Sequence, residues 1–461
     1  MKIDGVSKDI LENGLTVLIR EDRSSPVVSV NVWVKTGYFN EPDEITGISH
    51  LLEHMFFKGT RNRPVGKIQE EVKKAGGYWN AGTIYDHTNY YIAAPSDQLE
   101  RALELEADAL LNSTFDPAEI EKEREVVIQE ILRKYDLPDA MVWEKMIELA
   151  FRRHHIGRWR MGSPEQVRSF TRETMLDYHR KNYRPENIIL SVAGDLDTEE
   201  TYALIRRLFG PMPRARLDVI HSPPEPPQEE FRFRHDRADI TRAYFAAGFH
   251  APHVMDNEEY AVEALTYLLG SGKSSRLYRS LKERAGLVDS ITAGYLARHG
   301  VGVFFIEAEL DAADMEAAQK AVFAEIEKLK RHAPTAAELE KIKSAIEYEF
   351  LASLEDVNGQ TSSLAYFESL GDYRLIESFA DKLRAVKPDD ISAAACRYLS
   401  PSACSLQEYV PHNSPPPRGK ADALRAIQSA ADTGTADAAD AAPRSIPAPA
   451  VSFGGDPSAP D

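Results

Sequence analysis

Apolar and polar residues alternate at the start of the chain and then change their period. Residues 15–19 and 27–34 are rich in β-branched side chains and flank a polar turn, which predicts two neighbouring β-strands. From about residue 45 to 57 the apolar positions recur every three to four residues, which indicates a helix. The elements predicted for this first part are strands at 15–19, 27–34, 78–83, 88–94 and 187–195 and helices at 45–57, 66–75, 97–113, 117–135, 138–152, 163–182 and 198–209.

The same order of elements recurs after a proline-rich stretch at 211–230, whose composition is typical of a linker. This repetition predicts an α+β fold with two similar halves, each a mostly antiparallel sheet with helices packed on one face. The elements predicted for the second part are strands at 243–248, 288–295 and 301–310 and helices at 257–269, 275–285, 312–332 and 335–353.

These patterns divide the chain into four segments. An N-terminal α+β domain, 1–215, and a C-terminal domain of similar plan, 231–412, are joined by the linker 216–230. Beyond about residue 412, Pro, Ala, Ser, Asp and Gly dominate and bulky apolar residues are few. We therefore predict a disordered tail at 413–461, with room for a short helical fragment near 421–431.

The first predicted helix carries the pattern His-x-x-Glu-His at His50, Glu53 and His54. Positions i, i+3 and i+4 share one face of a helix, so the three side chains project together. Two imidazoles one turn apart can hold one zinc ion, and a carboxylate beside them can take a proton from an attacking water molecule. This order of residues is the inverted form of the commoner His-Glu-x-x-His zinc motif.

A hydrolytic zinc site usually needs a third protein ligand. The predicted helix at 117–135 has many acidic residues, most of which should face solvent. Glu123 and Glu130 differ from the rest, because they lie seven residues apart on one face with apolar neighbours. Either carboxylate could be the third ligand, and the residues alone leave that choice open.

Composition limits the function further. The formal net charge of −18 argues against a general nucleic-acid binder; it would suit basic peptides, or it serves solubility alone. No run of eighteen or more apolar residues is present, so no membrane span is predicted. The N-terminus lacks the pattern of a signal or transit peptide, so we expect a cytoplasmic protein, unless a targeting segment has already been removed.

Five stretches of the sequence resemble the M16 metallopeptidases, the family of pitrilysin and insulin-degrading enzyme. The resemblance is greatest to the half-length branch that includes the mitochondrial processing peptidase β subunit, and it runs from about residue 5 to 410. The matching stretches are GISHLLEHMFFKGT at 47–60, GGYWNAGTIYDHTNYY at 76–91, EREVVIQE at 123–130, YRPENIILSVAGD at 183–195, and residues 269–287.

The resemblance implies a zinc metalloendopeptidase with one zinc ion per chain. In the family, the third zinc ligand is the second Glu of a pair seven apart, and it follows the last motif histidine by 76 residues. This spacing makes His50, His54 and Glu130 the implied ligands and Glu123 a supporting residue. Glu53 is the implied general base, which takes a proton from water and later delivers one to the leaving amine.

The resemblance also implies a binding surface for the peptide substrate. Asn80, Ala81 and Thr83 match an exposed edge strand of the family, to which the substrate adds as a further strand. Backbone hydrogen bonds would then give an affinity that tolerates many peptide sequences. From the residues alone, this segment is an ordinary strand with an asparagine at a bend.

One departure from the family pattern bears on partners. Lys282 and Asp289 stand where family members carry an Arg and a Tyr that contact the substrate. Lysine cannot reproduce a guanidinium fork, and aspartate is no phenol donor. We therefore expect a heterodimer whose M16-like partner subunit supplies the Arg/Tyr pair, with a homodimer as the alternative. Other functions to weigh are a non-catalytic structural subunit and a processing protease dedicated to one small precursor peptide.

Overall fold

The computed structural model describes residues 4–214 and 217–432. The first half contains a six-stranded sheet in the order β1-β2-β6-β3-β5-β4, in which β2 and β6 are parallel and all other neighbours are antiparallel. Its strands are β1 (Val6–Ile10), β2 (Thr16–Glu21), β3 (Val27–Val34), β4 (Tyr78–Thr83), β5 (Thr88–Pro95) and β6 (Ile188–Gly194).

Eight α-helices belong to the described part of this half. Most of them pack their apolar faces onto one side of the sheet, where Leu51, Leu103, Val127 and Ile205 are fully buried in a single core. The helices are α1 (Ile48–Phe56), α2 (Lys67–Lys74), α3 (Leu99–Asn112), α4 (Pro117–Tyr135), α5 (Pro138–Ala150), α6 (Pro164–Ser169), α7 (Arg172–Asn182) and α8 (Thr198–Phe209).

The second half repeats the sheet without its first strand. The order is β7-β11-β8-β10-β9, again with one parallel pair, β7 and β11, beside antiparallel neighbours. The predicted fold of two similar, mostly antiparallel α+β halves is confirmed. Its elements are β7 (Arg232–Ala238), β8 (Ala243–Ala251), α9 (Glu259–Gly270), β9 (Ser290–Arg298), β10 (Val301–Leu310), α10 (Met315–Arg331), α11 (Ala336–Ala352), α12 (Val357–Ser369), α13 (Leu375–Ala385), α14 (Pro388–Tyr398), β11 (Ser405–Pro411) and α15 (Lys420–Asp432).

The two halves exchange helices. From the second half, α12 covers the outer face of the first sheet, where Leu364 packs with Trp33. The Ser29 and Thr361 hydroxyls lie 3.2 Å apart across this contact. The first sheet therefore has helices on both faces, and the helix on its outer face comes from the second half.

In the opposite direction, α5 of the first half lies on β8 and β11 of the second sheet. The approach is so close that a Cβ at Gly248 would lie 2.1 Å from the Met146 sulfur, so any larger residue there would have to displace the Met146 side chain. Val142 and Met146 of α5 share a buried apolar cluster with Ala246 and Val303 of the second sheet.

Several predicted elements differ from the structure. The helix expected at 163–182 is two helices: the first ends at Ser169, and Thr171 caps the second by accepting from the Thr174 N–H. The helix expected at 275–285 is a π-helical segment, Tyr278–Arg284. Strands β1, β7 and β11 and helices α12, α13 and α14 had no predicted counterpart.

The tail predicted to be disordered at 413–461 contains a packed helix in its first part. In α15, Ala423 and Ile427 lie one turn apart and are fully buried against the second core. Residues 433–461 lie outside the described part of the chain. Among the helices described, none combines the length and the apolar character that crossing a membrane requires.

Candidate metal centre

Helix α1 has two faces of opposite character. Ile48, Leu51, Leu52, Met55 and Phe56 are buried in the core of the first half. The opposite face carries the motif residues His50, Glu53 and His54, which are only partly buried. The spacing of the apolar residues thus fixes the direction in which the motif faces.

The start of α1 is held by a buried carboxylate. Glu41 accepts hydrogen bonds from the backbone N–H groups of Gly47 and Ser49, both at 2.8 Å, and is itself fully buried. The N-terminal N–H groups of a helix lack partners within it, so an acidic side chain stabilises them. Burial raises the pKa of Glu41 to about 7, and the two hydrogen bonds oppose that rise.

Removing this carboxylate should destabilise the protein. In Glu41→Ala the N–H groups of Gly47 and Ser49 would stay buried without an acceptor, so the free energy of unfolding should fall by about 3 kcal/mol. Denaturant unfolding followed by circular dichroism measures this change. Glu44→Ala, which removes an exposed carboxylate three residues away, is the matched control and should change little. Equal stability of the two variants would contradict the role of Glu41.

Helix α4 brings a second set of carboxylates against α1. The Glu130 carboxylate oxygen lies 3.5 Å from His50 Nε2 and 3.7 Å from His54 Nε2. The three potential ligand atoms all lie within 4.8 Å of one another, and this is the one such group of His, Cys, Asp and Glu among residues 4–214 and 217–432. Tetrahedral zinc with bonds of roughly 2.0–2.2 Å holds its ligand atoms at similar separations, so the cluster fits this ion.

Glu123 lies on the far side of His54. Its carboxylate is 3.1 Å from His54 Nδ1 and accepts from the Lys58 ammonium at 2.7 Å. Burial opposes ionisation of Glu123, but these two contacts lower its pKa overall. A carboxylate on Nδ1 places the imidazole proton there and leaves the Nε2 lone pair free to bind a metal. The contact of Lys58 with Glu123 was not predicted from the sequence, although Lys58 follows His54 by one helical turn.

His50 lacks a comparable support within the described part of the chain. Its Nδ1 is buried without a hydrogen-bond partner there. Burial, followed by the positive charges nearby, lowers the pKa of His50 to about 3. The ring is therefore neutral at pH 7, the state in which an imidazole binds a metal.

Glu53 is tied to the edge strand of the sheet. The Thr83 hydroxyl donates a 2.6 Å hydrogen bond to a Glu53 carboxylate oxygen. Burial raises the pKa of Glu53, against the effect of that hydrogen bond. A carboxylate whose pKa is raised towards neutrality is a stronger base than one in water.

Strand β4 is the outermost strand of the first sheet, so among the described strands none lies along its outer edge. Asn80 and Ala81 lie in its middle and Thr83 at its end, next to α1. The Asn80 amide donates to the Tyr78 hydroxyl at 2.7 Å, and its oxygen accepts from the Ala81 N–H at 2.9 Å. The predicted roles of these three residues in substrate binding stay predictions.

Lys282 and Asp289 are both engaged within the second half. The Lys282 ammonium donates to the backbone carbonyl of Asp289 and lies 5.5 Å from the centre of the Tyr278 ring. The Asp289 carboxylate pairs with Arg242. These contacts give both side chains a local structural role.

Comparison with known proteins extends these observations over most of the chain. A family model described as insulinase, peptidase family M16, matches residues 16–163, and one described as peptidase M16 inactive domain matches residues 169–346. A protein of Rickettsia felis, named an uncharacterized zinc protease, is 30% identical over 392 residues, or 85% of this chain and 94% of that one.

Two further proteins are similar to this chain over at least two thirds of its length. A protein of Arabidopsis thaliana, named probable mitochondrial-processing peptidase subunit beta, is 30% identical over 332 residues, which cover 69% of this chain and 62% of that one. The crystal structure of a protease from Helicobacter pylori is 27% identical and covers 89% of this chain and 100% of its own, with a TM-score of 0.83. The chain therefore belongs to peptidase family M16, the insulinase family, as one of its half-length members.

Proposed function

We propose that this chain is the catalytic subunit of a zinc-dependent endopeptidase that hydrolyses peptides or unfolded protein segments. The observation that carries the proposal is the cluster of His50, His54 and Glu130, whose ligand atoms lie within 4.8 Å of one another, with Glu53 on the same helix face. This combination of two imidazoles, a carboxylate and a nearby base matches what zinc hydrolases require.

The three cluster residues would hold one zinc ion per chain. Bound zinc would supply a Lewis acid that polarises the scissile carbonyl and makes water more acidic. Glu123 acts behind His54, where its contact with Nδ1 fixes the ring orientation.

Glu53 performs the proton transfers in this proposal. Its carboxylate takes a proton from the attacking water and later delivers one to the nitrogen of the leaving amine. The hydrogen bond from Thr83 holds the carboxylate in one orientation. Because Thr83 ends strand β4, the base stays in a fixed position relative to a peptide bound along that strand.

The peptide would bind by adding a strand to the free edge of β4. Main-chain groups of residues 78–83 would pair with the peptide backbone, so binding depends little on its side chains. Asn80 and Ala81 would form the middle of this pairing. The Asn80 oxygen now accepts from the Ala81 N–H, a contact that a bound strand could replace.

We further propose that the chain acts with a second M16-like subunit. Lys282 cannot present a planar guanidinium fork and Asp289 carries no phenol, so neither replaces the Arg/Tyr pair expected near the substrate. The local contacts of both side chains support this absence of a substrate role. A heterodimeric partner would supply the missing pair; a homodimer is the alternative arrangement.

Co-purification followed by a peptide-cleavage assay tests this function. The chain with its partner should cleave an internally quenched peptide faster than the chain alone, on the order of 100-fold, because the partner completes substrate positioning. A chelator should abolish cleavage, and added zinc should restore it. Full activity of the chain alone would refute the heterodimer, and activity unaffected by the chelator would refute zinc catalysis.

A non-catalytic structural role is the alternative from another class. Such a role would not require two histidines, a carboxylate and a base to stay assembled, as they are on α1 and α4. A protease dedicated to one precursor peptide would share this site, and a panel of unrelated peptides in the same assay would distinguish narrow from broad specificity.

A further inference from the structure

The cavity beside the metal cluster is positively charged, although the chain as a whole carries a formal charge of −18. It has a volume of about 650 Å³ and includes His50 in its wall. Among the described residues that line it, Glu130 is the one acidic side chain, and it belongs to the cluster. We call this cavity the basic pocket, after its four cationic side chains, Arg133, Lys134, Arg160 and Arg298.

Two of these cations share a single carboxylate. Glu144 lies buried on α5 behind the pocket, contacts the Lys134 ammonium and lies 3.2 Å from Arg160 Nη2. The single negative charge of Glu144 therefore faces the positive charges of Lys134 and Arg160, which leaves one positive charge beside the cavity without a counter-charge.

The other two cations are less well balanced. Arg298, at the end of β9 in the second half, lies 3.9 Å from the Asp86 carboxylate, a long contact for an ion pair. Arg133 is exposed on α4 and has no acidic partner among residues 4–214 and 217–432. Glu144, Asp86 and the cluster residue Glu130 together leave a surplus of one positive charge around the pocket.

The Arg160 guanidinium is held in place by an aromatic residue. Its Nη1 donates to the Tyr85 hydroxyl at 3.1 Å, and its carbon lies 5.4 Å from the centre of the Tyr85 ring. Its side chain remains 30% exposed, so part of the guanidinium is accessible from the cavity. A guanidinium fixed in this way loses little entropy when it binds a ligand.

We infer, on the basis of the endopeptidase function proposed above, that the basic pocket binds a carboxylate of the peptide substrate next to the scissile bond, with Arg160 and Arg133 as the recognising residues. Guanidinium groups bind carboxylates through two parallel hydrogen bonds. The low-dielectric protein wall on one side of the cavity strengthens this attraction relative to open water. The favoured peptides have Asp or Glu beside the cleaved bond; a free C-terminal carboxylate offers the same chemistry.

Matched peptides test the recognition of a carboxylate. The zinc-loaded protein with its co-purified partner is given internally quenched peptides that differ only in Glu, Gln or Lys at a position flanking the scissile bond. We expect kcat/KM to be higher for Glu than for Gln on the order of 10–100-fold, and lowest for Lys. Each peptide is made with a free and an amidated C-terminus, which separates the side-chain carboxylate from the terminal one.

Two variants assign the effect to the pocket. Arg133→Gln and Arg160→Gln should each reduce the preference for the Glu peptide over the Gln peptide at least several-fold. A loss of this size corresponds to the removal of one charge-assisted hydrogen bond. The Arg133 side chain has no hydrogen-bond or ion-pair partner within the described residues, so its replacement breaks no such contact there. Arg61→Gln removes an exposed arginine outside the pocket and should keep the full preference.

A binding measurement makes the result independent of catalysis. Fluorescence anisotropy with labelled peptides and the Glu53→Gln variant should give tighter binding for the Glu peptide than for the Gln peptide. If wild-type protein cleaves no peptide, the endopeptidase proposal fails, and this binding preference still decides the role of the pocket. Equal binding and cleavage of Glu and Gln peptides, a preference for Lys, or a preference that survives both arginine variants would overturn the inference.

Discussion

Glu53→Gln should abolish peptide cleavage while the protein still binds zinc. Glutamine has nearly the same shape and can still accept the hydrogen bond from Thr83, so the site should keep its geometry. An amide cannot take up the proton from water, and the loss of a general base lowers the rate by roughly 10²–10⁴-fold. The measurements are kcat/KM on a quenched peptide and zinc content by elemental analysis.

The control for this variant is Glu121→Gln, which changes a carboxylate on the exposed face of α4 that is 72% exposed. It should retain full activity and full zinc. Full activity in Glu53→Gln would remove Glu53 from the mechanism. Loss of zinc together with activity would mean that Glu53 supports the metal cluster instead of serving as the base alone.

The second large effect is expected for Glu130→Gln, which should lose zinc. The Glu130 carboxylate faces the Nε2 atoms of both histidines, at 3.5 and 3.7 Å, so it would be a direct ligand. A neutral amide is a poor replacement for a charged oxygen ligand, and zinc affinity should fall by more than roughly 100-fold, beyond the range for a supporting residue. Zinc content and competition with a chromophoric chelator measure this loss.

Glu123→Gln provides the matched comparison on the same helix. Its carboxylate contacts Nδ1 of His54 and not Nε2, so its loss should weaken zinc binding by about 10–100-fold, as for a residue that orients a ligand. Unchanged zinc content in Glu130→Gln, together with loss in Glu123→Gln, would reverse the two assignments.

The sequence predicted much of the site because its parts lie within single helices. His50, Glu53 and His54 share a face through their spacing alone, and Glu123 and Glu130 do so on α4. Residue spacing within a helix does not predict how α1 and α4 pack against each other. The choice of the third ligand therefore stayed open until the family resemblance pointed to Glu130. The hydrogen bond between Thr83 and Glu53 was missed, because it joins a strand end to a helix 30 residues away.

Contacts between distant segments explain what else was missed. Strand β11 completes the second sheet by pairing with β7, which lies about 170 residues earlier in the chain. Strand β7 was missed because its sequence, Arg-Phe-Arg-His-Asp-Arg-Ala, is mostly polar and contains no apolar run. The basic pocket draws Arg133, Arg160 and Arg298 from α4, from the loop after α5 and from the second half. These positive charges come together only when the chain folds, and the negative net charge of the sequence gives no indication of them.

The exchange of α5 and α12 between the halves has a mechanical consequence. Bending the chain at its proline-rich linker would pull Met146 and Leu364 out of buried apolar contacts at the same time. We therefore expect the two halves to stay associated after a proteolytic nick within residues 217–230. The free edge of β4 and Glu53 beside it then keep a fixed position relative to the second half.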